Sequence, residues 1–113
     1  QLTEDHSLVA EMVRRGEVSP AGARQHPLRN VVTRCLGTEP FVETEVRAVA
    51  WGRGDILLLC SDGLTGMLED SEIADILRAG QGDLDAICGE LIEAANAAGG
   101  RDNISVVLAR NEE

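Results

Sequence analysis

The run Ile56-Leu57-Leu58-Leu59-Cys60 is apolar without a break and is bracketed by Asp55 and Asp62. It reads as a strand. Because it does not alternate, it is expected to be buried on both faces. Continuous apolar strands usually belong to parallel sheets under helices, yet the short links earlier in this chain suit antiparallel neighbours. A sheet covered by a second sheet on one side and by helices on the other satisfies both observations. The expected architecture is therefore a layered α, β, β, α arrangement.

Around that strand the chain divides into a meander and a helical block. A strand is expected near Asp5 to Ala10, then two short helical turns, Glu11 to Arg15 and Pro20 to Gln25, broken by Gly16 and ended by Pro27. Ser19 is a suitable N-cap, with Pro20 at the first helical position, where a missing N–H costs nothing. Strands follow at about Asn30 to Leu36, Glu43 to Ala50 and Ile56 to Cys60, with turns at Gly37 and Gly52-Arg53-Gly54-Asp55. From Asp70 the period changes. Ile73, Ile76 and Leu77 fall on one helical face after an Asp70 cap, and Gly80 stops the helix. A second helix, Leu84 to Ala98, aligns Leu84, Ile87, Cys88, Leu91, Ala94, Ala95 and Ala98 on one face, capped by Asp83 and ended by Gly99. The last strand runs from Ile104 to Arg110. The fold class is α+β, with part of a four-layer sandwich of mainly antiparallel sheets.

At 113 residues the chain suits one domain or part of one, and a chain of this size buries roughly two thirds of its unfolded surface. Gln1 is not an initiator methionine and no signal-like run follows it, so an excised piece of a longer chain is expected. No stretch approaches the ~20 apolar residues of a membrane span. Twenty acidic against ten basic residues give a net charge of −10, which repels nucleic acid and anionic lipid. It repels a phosphorylated substrate too, so chemistry on phosphate needs cations to invert the local field. Cys35, Cys60 and Cys88 are odd in number and widely spaced; they are expected to be buried, reduced thiols of a cytosolic protein rather than a zinc site or a disulfide framework.

Two acidic segments carry the chemistry. Ser61-Asp62-Gly63-Leu64-Thr65 closes the apolar strand, and Gly99-Gly100-Arg101-Asp102-Asn103 opens the last one. If those strands are antiparallel neighbours, about 5 Å apart, Asp62 and Asp102 meet at one edge of the sheet. Oxygen-only ligands suit Mg²⁺ or Mn²⁺, which keep several waters and need few carboxylates. Asp-Gly and Asp-Asn are also ordinary turn dipeptides, and the residues alone leave both readings open.

The order of the motifs resembles a known family. Leu2-Thr3-Glu4-Asp5-His6-Ser7-Leu8-Val9, His26-Pro27, Arg29-Asn30, Thr33-Arg34 with Leu36-Gly37, Gly54-Asp55, Leu57 to Leu64, and Gly99-Gly100 with Asp102 to Val107 together resemble the C-terminal half of the metal-dependent protein phosphatase 2C (PPM) family in its bacterial form. The resemblance implies a cytoplasmic phosphoserine and phosphothreonine phosphatase, acting on phosphoproteins in a pathway with a cognate kinase. It implies a binuclear Mn²⁺ or Mg²⁺ centre that activates water for in-line attack, with Asp62 and Asp102 as metal ligands and the region Glu11 to Arg29 as a mobile flap. The family's first half supplies a metal-bridging Asp-Gly pair, a Gly-Gly-His segment with the catalytic histidine and a phosphate-binding arginine. None of these occurs here. No catalytic residue is therefore assigned within residues 1–113, the isolated chain is expected to be inactive, and unpaired sheet edges would favour a dimer. His26 is expected to be structural or part of the flap, and His6 hydrogen-bonded within a strand. A pseudophosphatase and an acidic, non-enzymatic interaction module are the alternatives.

Overall fold

The computed structural model describes all 113 residues and divides into two units, residues 1–49 and 50–113. In the first, Ser7 decides the local structure. Its Oγ accepts a hydrogen bond from the Ala10 N–H at 3.2 Å and so caps a helix, α1, Leu8–Arg14. The strand expected over Asp5 to Ala10 is thereby replaced. A serine that satisfies one of the first unpaired helix donors favours the helix at that point, and Leu8, Val9, Met12 and Val13 share a helical face, with Val9 buried. Only Ser7 keeps strand-like pairing, in an isolated antiparallel bridge to Val32. The second helix, α2, Pro20–Gln25, has the expected bounds and the expected cap, Ser19 Oγ accepting from Gly22 N–H at 3.0 Å.

The strands expected over Asn30 to Leu36 and Glu43 to Ala50 do not form. Beyond the Ser7–Val32 bridge and a Leu36–Glu39 bridge, this region has no regular pairing. A strand is a pairing between segments, and its N–H and C=O groups need a neighbour that this stretch does not have. The same lack shows in its side chains: Leu36, Phe41 and Val46 are about nine-tenths exposed (88, 91 and 91%).

In the second unit, β1, Ile56–Cys60, pairs antiparallel with the last strand, Val106–Arg110, in register from Ile56 opposite Arg110 to Cys60 opposite Val106. Three helices lie between them in sequence: α3, Asp62–Thr65; α4, Asp70–Ala79; and α5, Leu84–Ala97. The last strand is β2. Leu64, Leu68, Ile73, Ile87, Leu91 and Ala95 form the buried core, and Leu58, Val106 and Leu108 pack against it from the sheet. Burying a side chain of leucine size contributes roughly 1.5–3 kcal/mol, so Leu64, Ile87 and Leu91, all fully buried, hold the helices on the sheet.

Three expectations change here. The cap of α4 is Glu69 rather than Asp70, because Glu72 Oε2 reaches back to the Glu69 N–H at 2.8 Å and completes a capping box. α3 is a helix where a turn was expected. The apolar strand is covered on one face only: Leu59 and its partner Val107 remain 54% and 60% exposed. The fold is α+β, as expected. After α4 the chain turns through Gln81 and Gly82, both at positive φ, and the Arg110 guanidinium donates to the Gly82 carbonyl, tying this turn to the end of β2.

Leu91→Ala empties a fully buried site and is expected to cost about 2–5 kcal/mol. Val107→Thr, on the uncovered face, should change stability by no more than about 0.5 kcal/mol. Urea unfolding followed by circular dichroism separates the two. Equal losses would mean that the core does not lie between helices and sheet.

Candidate functional site

At the end of β1 the ladder does not stop with Cys60. The Ser61 N–H donates to the Ser105 carbonyl at 3.0 Å. Its hydroxyl donates to the Asn103 carbonyl at 3.0 Å and accepts from the Ser105 N–H at 2.9 Å. Ser61 thus binds the approach to β2 by three hydrogen bonds. Gly63 comes so close to the same stretch that a Cβ placed on it would overlap the Asn103 carbonyl oxygen. The expected meeting of the two acidic segments at one end of the sheet is therefore found.

Asp62 is the first residue of α3 and Asp102 immediately precedes Asn103; both are exposed. Asp102 Oδ1 accepts from the Asn103 N–H at 2.7 Å, a local turn bond that orients its carboxylate. Neither aspartate forms an ion pair with a lysine, arginine or histidine, while five other acidic side chains do. Two exposed, unpaired carboxylates on fastened segments can offer hard oxygen ligands to a cation.

The cysteines depart from expectation. All three are free, but Cys35 and Cys60 are exposed and Cys88 is half-buried. Cys35 lies in the stretch without regular pairing, and Cys60 is the last residue of β1. Partial burial, and secondarily the charge of Asp70, push the Cys60 thiol above its ordinary range. The histidines are structural in their contacts. His26 Nδ1 accepts from the Leu28 N–H at 3.1 Å. His6 is hydrogen-bonded, as expected, but ahead of α1 rather than within a strand.

His6 also belongs to a cluster that the linear sequence hides. Its Nε2 lies 3.2 Å from Glu45 Oε2, and the ligand atoms of Glu4, His6 and Glu45 fall within 4.8 Å of one another. They line a hollow of about 300 Å³. The signal was out of reach of motif reading, since Glu45 is 39 positions from His6. Arg47 sits 2.5 Å from Glu45 and Arg14 3.5 Å from Glu4, so arginines already neutralise both carboxylates.

Comparison with known proteins extends the picture. No family model matches the chain. It is 47% identical over 108 residues to a serine/threonine phosphatase, stp, of Listeria welshimeri, a match covering 96% of this chain and 42% of that protein. Among solved structures, the PPM Ser-Thr phosphatase MsPP of Mycobacterium smegmatis, in complex with cacodylate, aligns with a TM-score of 0.85 at 41% identity over 98% of this chain and 47% of that one. Over nearly its whole length the chain is similar to phosphatases of the PPM type. A further solved structure, the catalytic domain of the serine threonine protein phosphatase PstP in complex with 2 manganese ions, aligns at 32% identity and a TM-score of 0.76, over 97% of this chain and 44% of that one. The chain thus spans less than half the length of the relatives it matches.

Two measurements check the site geometry. Gly63→Ala should cost about 1–3 kcal/mol, as overpacking does, and should weaken protection of the Ser61 and Ser105 amides in hydrogen exchange. Unchanged protection would deny the close approach. For Cys60, a raised thiol pKa means that the folded state holds the proton more tightly, so its thiolate appears only above the ordinary range. Asp70→Asn is expected to speed iodoacetamide labelling of Cys60 at pH 8, and an unaltered rate would remove Asp70 as a cause.

Proposed function

We propose that the complete protein carrying this segment is a metal-dependent phosphatase that hydrolyses phosphoserine and phosphothreonine in proteins, with Asp62 and Asp102 as ligands to one Mn²⁺ or Mg²⁺ ion. One observation carries the reading: Ser61 fastens two acidic segments side by side in a chain 47% identical over 108 residues to a serine/threonine phosphatase. The donor set suits such an ion, being carboxylate oxygen only, exposed and free of ion pairs. A bound ion would supply Lewis-acid activation of water and neutralise phosphate charge. The second role matters here, because a net charge of −10 repels the substrate.

Residues 1–113 are read as the C-terminal portion of one catalytic domain. The bridging Asp-Gly pair, the catalytic histidine and the phosphate-binding arginine would come from its other half, together with the strands of the four-layer sandwich. The uncovered Leu59 and Val107 support this, since an apolar sheet face is stable under a second layer. In the absence of that half, a second copy of the chain would cover such surfaces and give a dimer. The short helices α1 and α2, separated by Gly16 and followed by Pro27, suit a flap over residues 11–29 that admits a phosphopeptide. A cytoplasmic bacterial signalling pathway with a cognate kinase is the setting that this reading implies.

The 113-residue chain alone should hydrolyse p-nitrophenyl phosphate no faster than the Mn²⁺-containing buffer. The complete protein should be active with Mn²⁺ and lose on the order of 100-fold or more on Asp62→Asn or Asp102→Asn. Activity that survives both single substitutions would remove these residues from the mechanism.

A further inference from the structure

We propose that Ser61 is a positioning residue whose hydroxyl sets the separation of the Asp62 and Asp102 carboxylates. The inference rests on the reading of those two aspartates as metal ligands. Its starting point is a hydrogen bond that is not made. Ser61 occupies the N-cap position of α3 with extended backbone, φ −78° and ψ 164°, yet its side chain makes no capping bond. A serine in that place ordinarily accepts from a helix N–H two or three residues on, as Ser7 and Ser19 do in this chain. Here the hydroxyl is turned across the sheet instead, donating to Asn103 and accepting from Ser105.

That diversion joins the two acidic segments by their shortest route. Asp62 is covalently next to Ser61, the Ser61 hydroxyl is bonded to the Asn103 carbonyl, and Asn103 is covalently next to Asp102. Asp102 is in turn held by its own Oδ1 on the Asn103 N–H. Gly63 presses on the same Asn103 carbonyl from the other side of Asp62, so Asp62 is flanked by two points of attachment to the Asp102 segment. Asn103 and Ser105 are exposed. If the hydroxyl is removed, water replaces its bonds and global stability changes little. What is lost is the fixed distance between two ligand carboxylates; direct hydrogen bonds to metal ligands tune affinity by about 10–100-fold, and a bond acting one residue away, on the backbone, is expected to fall at the low end of that range.

The test is a Mn²⁺ titration of the complete protein, read by the electron paramagnetic resonance signal of free Mn²⁺, with thermal unfolding in parallel. Ser61→Ala is expected to weaken Mn²⁺ binding about tenfold with little change in melting temperature, and Ser61→Thr, which keeps the hydroxyl, to bind within about twofold of the parent. Asp62→Asn is run beside them. If Asp62→Asn leaves the affinity intact, the ligand reading fails and this inference with it. If Asp62→Asn weakens binding but Ser61→Ala does not, Ser61 positions nothing and only this inference is overturned. Should the alanine variant fail to fold, Ser61→Cys, with a similar size and a weaker donor, is titrated in its place, and parental affinity there overturns the proposal.

Discussion

The antiparallel pairing of β1 with β2 is the interaction on which the rest of the second unit depends. It joins residues from opposite ends of that unit, Ile56 to Arg110 and Cys60 to Val106, and the three helices between them close back over one face. Without it, Leu58, Val106 and Leu108 have no common surface to offer Leu64, Ile87 and Leu91. The pairing also fixes register, and register fixes which residues stand at the end of the sheet. A slip of one residue would move the Ser61 hydroxyl away from Ser105 and part the two acidic segments.

The geometry at that end is built from weak parts with complementary roles. Hydrogen bonds from Ser61 set direction. The absent side chain of Gly63 sets distance, because nothing larger clears the Asn103 carbonyl. Asp62 and Asp102 are left without an ion-pair partner, whereas Glu4 and Glu45 in the cluster with His6 are each paired with an arginine. Two groups of acidic side chains thus differ in what they have to offer a cation, and the difference is in their partners rather than their number.

What the sequence made legible follows the range of the forces involved. α2, α4 and α5 are governed by residues within a few positions of each other, and their extents were readable to within one residue from caps and apolar spacing. The β1–β2 pair was readable because two strong apolar runs flank recognisable turns. The strands expected over residues 30–36 and 43–50 were not decidable locally, since pairing depends on a partner that no local pattern specifies. At Ser7 two local signals competed, and the cap to Ala10 prevailed over the extended reading. The two-sided burial expected for Leu57 to Leu59 describes what such a run needs; residues 1–113 provide it on one face. For the site, the adjacency of the acidic segments was legible, but the diversion of the Ser61 hydroxyl and the His6–Glu45 contact required three dimensions.

The span between β1 and β2 also bears on the order of assembly. Helices close short loops and form early, whereas a pairing such as Cys60 with Val106 must first overcome the entropy of enclosing everything between. Residues that meet only through this pairing therefore meet last. A nascent or partly unfolded chain holds Asp62 and Asp102 apart, as two ordinary surface acids with no joint claim on a metal. On the reading proposed for Asp62 and Asp102, capture of a cation at the sheet end would report that the unit has finished folding.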